Sequence, residues 1–355
     1  MAAVSYPFRN MRGVCYLPTY NTLNTSPPFT GWTGVSGFDR FWQYYSASLA
    51  AGSTGEEVYN QLERIKKAGF NTIRVWMAFN PSKSPYNNYA YVGDEASYAA
   101  KYAHFIAVAA AHGLRVIPVI FDSYTASPSE AYMTSCNGSS YQDWKSSAAK
   151  TFIDVMTTGE LQYPGTILMW DLFNEPWYGD WADSTVVKTF LLYAARYLKE
   201  QKFLDYFTVP NLVSANGWKG ETDQIETANS DYVDVLSVHP YALTKHYLAT
   251  QLKTLRNDVC ADKPVVITET GAPGYGYNYV EALDYVAKYR LGYVLYQAMI
   301  GWADATSQFL HLYESGIFYY NGKVRETEVV KRVRSDARAD GVAVGDLYSE
   351  AEIDA

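Results

Sequence analysis

The sequence predicts an α/β protein folded as one (β/α)8 barrel, a TIM barrel, in a single domain. Eight short apolar runs alternate strictly with longer amphipathic stretches, the pattern of a parallel sheet built from βα units. The chain has 355 residues, a length that suits one large barrel. No GxGxxG or P-loop follows any of the runs, which argues against a doubly wound nucleotide-binding sheet.

The first strand is RGVCYL near the start, and a long Ser-, Thr-, Gly- and aromatic-rich loop at about 20–52 follows it. In the first helix Thr54 and Glu57 make a capping box, Val58, Leu62 and Ile65 form one apolar face, and Gly69 ends the run. Strand two is NTIRVW, and the helix YAAKYAHFIAVAAAHG leads into strand three, LRVIPVIFD. A helix over 144–156 leads to strand four, GTILMWDLFNE, and one over 186–198 to strand five near NLVSANGW. Strand six is VDVLSVHPY, and a helix over 244–259 precedes strand seven, KPVVITETG. A last helix over 280–289 precedes strand eight, GYVLYQAMIGW. The barrel domain thus occupies residues 1–334, and 335–355 reads as an acidic tail.

Composition narrows the function classes. A net charge of −8 and a pI near 5.2 leave no basic footprint for nucleic acid. No stretch approaches the uninterrupted apolar length of a membrane span. The N-terminus MAAVSYPFRN lacks the basic-plus-apolar pattern of a signal peptide. The expectation is an extracellular protein whose leader lies outside this sequence, with a cytoplasmic protein as the alternative. Cys15, Cys136 and Cys260 show no CxxC spacing, so a zinc site is not expected on that count, and no metal or cofactor is expected. Cys136 and Cys260 fall at opposite ends of the barrel, and free thiols are expected. The chain carries 33 Tyr, 15 Phe and 9 Trp, which fits either aromatic packing or stacking on sugar rings.

In a barrel of this kind the reacting groups stand at the C-terminal ends of the strands. Those ends carry Arg74, Asp122, Asn174 with Glu175, Trp218, His239 with Tyr241, Glu269 and Trp302. The two glutamates close strands four and seven, 94 positions apart, and each is followed by a turn signal, Pro176 or Gly271. Their strands lie across the mouth from one another, so their carboxylates can face each other over a substrate. Two carboxylates about 5 Å apart are what retaining glycoside hydrolysis requires. A lone strand-end glutamate is more often a solvated or capping group; the pair on these two strands favours chemistry.

LMWDLFNEP together with VVITETGAPG resembles glycoside hydrolase clan A, and most nearly family 5, the cellulase-like and mannanase-like enzymes and their bacterial relatives. The resemblance runs from NTIRVW to YQAMIGW. It implies that Glu175 is the acid/base and Glu269 the nucleophile, that Asn174 bonds the sugar 2-hydroxyl, and that Arg74 holds the nucleophile ionised. It also implies a strand-six His-x-Tyr in His239 and Tyr241, with the tyrosine hydroxyl on the nucleophile, and an aromatic floor in Trp302. Family members commonly have a histidine near the end of strand three, where this chain has Phe121-Asp122. Trp177 and Trp218 stack further sugar units or simply pack the loops.

The implied activity is retaining cleavage of a β-linked polysaccharide or oligosaccharide, a β-glucan or β-mannan. Alternatives are an exo-acting β-galactosidase or β-mannosidase and a carbohydrate-binding barrel without catalysis. The expected partner is carbohydrate, with no nucleic acid and no membrane; oligomeric state is not legible.

Overall fold

The computed structural model describes residues 8–16, 42, 45–77, 95–122, 128–158, 163, 165–177, 182–201, 207–209, 221–240, 263–271, 273, 278–299, 315–319 and 322–354. Its eight strands are β1 (Arg12–Cys15), β2 (Thr72–Trp76), β3 (Arg115–Asp122), β4 (Trp170–Asn174), β5 (Phe207–Val209), β6 (Val235–Val238), β7 (Val265–Thr270) and β8 (Tyr293–Leu295). Every neighbouring pair is parallel, and β8 pairs β1, so the sheet closes in sequence order.

The strands whose burial is described read as largely apolar runs because both of their faces are buried. Successive side chains divide between two cores. Cys15, Trp76, Ile117, Val119, Val235, Val266 and Val294 fill the barrel interior with Phe8 and Met11. Their sequence neighbours Val14, Val75, Val116, Ile120, Ile267, Tyr293 and Leu295 face outward and pack on the helices. This period of two places Arg74, between Ile73 and Val75, inside the barrel.

The helices supply the outer layer. Helix α1 (Thr54–Lys67) buries Val58, Gln61, Leu62 and Ile65, and Gly69 follows it with φ +96°. Its cap differs from the expectation: Ser53, one residue earlier, accepts from the Glu56 N–H, while Thr54 Oγ1 accepts from the Ser46 N–H. Next come α2 (Glu95–Ala111), α3 (Glu130–Asn137), α4 (Tyr141–Trp144), α5 (Ala148–Thr158), α6 (Ser184–Gln201), α7 (Glu221–Asn229), α8 (Tyr279–Tyr289), α9 (Thr327–Ala339) and the short α10 (Glu350–Ile353). The helices α3, α4, α7, α9 and α10 were not expected, and the helix expected over 244–259 lies outside the described residues. None of the described helices is long and apolar enough to cross a membrane.

Three other expectations need correction. The strand that pairs β4 in fifth place is Phe207–Val209, ahead of NLVSANGW. Strand eight ends at Leu295, well before Trp302. The expected boundary between residues 334 and 335 falls inside α9, whose Val329, Val330, Val333 and Ala337 are buried. Beyond α9 the acidic stretch packs back on the barrel: Leu347 and Ile353 are buried, and the Tyr348 N–H bonds the Lys67 carbonyl. Cys15 and Cys136 are free and buried, and Cys260 lies outside the described residues.

Candidate active site

Arg74 organises the C-terminal mouth of the barrel. It stands on β2 beside Cys15 of β1 and is fully buried. Its Nε donates to Asp171 Oδ2 at 2.9 Å, and Nη2 lies 2.7 Å from the same oxygen. Nη2 also donates to Asn174 Oδ1 at 2.8 Å, and Nη1 to Glu269 Oε1 at 2.5 Å. The last N–H points toward Cys15 Sγ, 4.0 Å from Nη1. A guanidinium has five N–H donors, and each has a partner here. The cation also lies over the Trp76 ring, 4.5 Å from its centroid. Burial works against the Arg74 charge, and Asp171 and Glu269 more than offset it, so its pKa is raised.

Glu269 reaches this network through an irregularity in β7. Val266 faces inward and Ile267 outward, so strict alternation would turn residue 269 toward the helices. The β7–β8 register shifts between Ile267 and Thr270. A bulge of this kind re-aims a side chain. Thr268 and Glu269 accordingly both present their side chains to His239. The chain then turns at Gly271, φ +72°, where a Cβ would stand 2.6 Å from Tyr279 Cδ1.

Glu175 follows the end of β4 with φ 47°, a left-handed backbone that non-glycine residues rarely adopt. Such a conformation costs on the order of 1 kcal/mol and concentrates at functional sites. It ends the strand and brings the carboxylate to His239, whose Nδ1 lies 2.7 Å from Glu175 Oε1 and 3.4 Å from Glu269 Oε2. The other ring nitrogen, Nε2, is 3.1 Å from Thr268 Oγ1. Burial lowers the His239 pKa to about 3; the Glu269 charge opposes that shift and Arg74 adds to it. The ring is therefore neutral at ordinary pH. It can donate to Glu175 from Nδ1 while accepting from Thr268, or accept a proton from Glu175 while donating to Thr268.

One ligand atom each from Glu175, His239 and Glu269 lie within 4.8 Å of one another, all on buried side chains. This trio is close enough to hold a divalent cation, although the 2.7 Å contact is already a hydrogen bond between His239 and Glu175.

The structure brings together Arg74, Asp122, Asn174, Glu175, His239 and Glu269. Asp122 pairs Asn174 in register, and its Oδ1 accepts from Asn174 Nδ2 at 2.9 Å. Trp177, read as either a stacking or a packing residue, is buried and belongs to the helix-facing core cluster. Trp218, Tyr241 and Trp302 lie outside the described residues. The partly buried aromatic that directly follows β8 is Tyr296, which packs on the interior cluster. Sequence reasoning passed over Asp171 and Thr268. Asp171 had a readable signal, a carboxylate inside the apolar run four positions before Glu175.

Two facing carboxylates over a buried arginine, at the C-terminal mouth of an eight-stranded barrel, define the class of barrel glycosidases. The model for cellulase, glycosyl hydrolase family 5, matches residues 26–300, and the chain belongs to that family. It is therefore a glycoside hydrolase. No curated protein sequence gives a match.

Several solved structures share the fold. The endo-1,4-β-D-mannanase of Thermotoga petrophila, solved with maltose and glycerol, is 15% identical with TM-score 0.56, covering 84% of this chain and 97% of its own. A GH5_18 protein of Bifidobacterium longum, a glutamate-to-alanine variant in complex with Manβ1-4GlcNAc, is 14% identical with TM-score 0.62, over 94% and 79%. A family 5 lichenase of Caldicellulosiruptor is 18% identical with TM-score 0.53, over 93% and 94%.

Proposed function

We propose that the protein hydrolyses β-linked glucan or mannan chains by double displacement, with Glu269 as nucleophile and Glu175 as acid/base. The separation of the two carboxylates carries this reading. An oxygen of each lies within 4.8 Å of the other, close enough to fit the short carboxyl separation of about 5–5.5 Å that a retaining site uses. An inverting site needs room for a water between its carboxylates, roughly 6.5–9.5 Å.

In the first step Glu269 attacks the anomeric carbon while Glu175 protonates the departing oxygen. The C–O bond to the leaving sugar breaks and a glycosyl ester forms on Glu269. In the second step Glu175, now ionised, takes a proton from water, which attacks the same carbon and releases the ester with the β configuration restored. His239 can donate from Nδ1 to Glu175 Oε1 both when that carboxyl is ionised and when its other oxygen carries the proton, so it can orient Glu175 through both steps. Asn174 is held from both sides, by Arg74 and by Asp122, and can present its amide to the sugar 2-hydroxyl, a contact that strengthens in the transition state. Tyr241 and Trp302 keep the roles that the family resemblance implies.

The substrate class rests on the family and on neighbours that include mannanases and a lichenase. Incubation with barley β-glucan, carboxymethylcellulose, galactomannan, xylan and aryl β-glycosides tests it, with products separated and the first-formed anomer read by NMR. Reducing ends of β configuration from glucan or mannan are expected. Initial α product overturns the mechanism, and xylan-only cleavage overturns the substrate class. A rapid fall in viscosity marks endo action; monosaccharide release without it marks the exo alternative.

A further inference from the structure

We propose that Asp171 is a positioning residue for this reaction: it holds the Arg74 guanidinium side-on and sets how much of that positive charge reaches Glu269. The proposal rests on the reading of Glu269 as the nucleophile.

Asp171 is almost wholly buried in the middle of β4, and a single oxygen, Oδ2, takes both Nε and Nη2 of Arg74. This contact leaves the guanidinium one way to lie, with Nη1 directed at Glu269 and the second Nη2 proton at Asn174. The Trp76 ring covers one face of the cation. A guanidinium without Asp171 could swing away from that plane, because its remaining hydrogen-bond partners, Asn174, Glu269 and Cys15, all sit on the two Nη atoms and none holds Nε. Asp171 thus acts on the two groups that meet the sugar without standing beside it.

The second effect is electrostatic. Asp171 and Glu269 share one cation, and neither is screened by solvent to any extent. Among the described residues, the other titratable groups facing Glu269 are His239 just after β6, Glu175 just after β4 and Cys15 of β1, whose thiol burial pushes up well above its usual value. His239 and Cys15 are therefore neutral during turnover, and among the described residues Arg74 supplies the positive charge in contact with the nucleophile. A second carboxylate on that arginine limits its pull on Glu269. Without it the Glu269 carboxylate would be held more tightly as an anion and would be a poorer nucleophile.

The test uses the full-length protein and a 2,4-dinitrophenyl 2-deoxy-2-fluoro-β-glycoside of a sugar cleaved in the panel. Its aglycone leaves without protonation, so Glu269 attack on the anomeric carbon, with loss of dinitrophenolate, is read alone. Wild type, Asp171→Asn and Asp171→Glu are compared by labelling rate against pH and by the mass of the labelled peptide. Asp171→Asn should label at least about tenfold more slowly on the plateau, with its acid limb displaced to lower pH by roughly one unit. Asp171→Glu restores the charge on a longer arm, so its acid limb should return toward wild type while its plateau stays reduced. A purely structural role would lower melting temperature and leave the acid limb in place, and that result overturns the proposal. Should Asp171→Asn not fold, Asp171→Glu decides by its plateau rate constant, normalised to the fraction of enzyme finally labelled so that misfolded protein does not count: a wild-type value overturns the proposal, and a reduced value in a variant of wild-type melting temperature supports it. Labelling of wild type at a residue other than Glu269 would instead remove the mechanism on which the proposal rests.

Discussion

Arg12 and Arg74 stand on adjacent strands of the same barrel, and both are buried, yet they spend their donors in different ways. Arg12, near the N-terminal end, bonds the Gly69 carbonyl and pairs with Asp340, whose side chain is 31% exposed. Arg74, at the mouth, places every N–H on buried groups, two of them carboxylates. A pair with one wet partner forms and breaks at little cost. A dry network is costly to assemble and costlier to break, because removal of one member strands the others in low dielectric. One end of the barrel thus has an ordinary tie between the C-terminal segment and the sheet. The other holds charge where folding alone would favour apolar residues, which is the mark of a site kept for chemistry.

The largest expected effect separates the mouth from everything else. Glu269→Gly should abolish turnover, and Glu175→Ala should reduce it about 10²- to 10⁴-fold on natural substrates, as loss of a general acid does. Steady-state kinetics on the preferred polymer measures both. Wild-type rates in either variant would show that the mouth is not the site.

Stability should separate the two arginines next. Arg74→Met removes the buried cation shared by Asp171 and Glu269 and should destabilise by roughly 3–5 kcal/mol. Asp340→Asn weakens a partly exposed pair and should cost about 1 kcal/mol or less, with activity unchanged. Denaturant midpoints compare them directly, and equal losses would erase the distinction.

A further effect, spread over several pH units, lies in acid stability. His239 is neutral in the fold, with its pKa lowered to about 3. The unfolded chain takes up this proton near pH 6.5, so between about pH 6.5 and 3 it binds more protons than the fold. Stability should therefore fall as pH drops below about 6.5, by up to about 5 kcal/mol if the whole shift is expressed. His239→Gln should flatten the decline in melting temperature between pH 6.5 and 4. An unchanged slope would mean that other groups set it.

Much of the barrel was legible because its strands are buried on both faces and its helices on one. Glu175, Asn174 and His239 stood at strand ends, where a barrel puts its chemistry, and Arg74 two residues before one. The fifth strand was misplaced because Phe207–Val209 is three residues long and more apolar text follows it. Helix α3 escaped because EAYMTSCN lacks a clear apolar stripe, although Ser129 caps it. Glu269 was chosen from its strand and its family pattern, but its inward direction depends on a bulge that no period-two reading contains. Asp171 was overlooked for the opposite reason: alternation does not say which buried polar residue another strand will answer with an arginine.

The roles of the two glutamates are the central claim, and azide rescue tests them most directly. Glu175→Ala is mixed with a dinitrophenyl β-glycoside, whose leaving group needs no proton, and azide is added. Azide needs no base to attack the glycosyl-enzyme, so turnover should rise and the product should be the β-glycosyl azide. In Glu269→Gly, azide enters the vacated space from the opposite face and should give the α-glycosyl azide. NMR of the two products reads the outcome in a single coupling constant. β-Azide from Glu175→Ala and α-azide from Glu269→Gly is the predicted result; the reverse pairing would contradict the assignment and exchange the two roles.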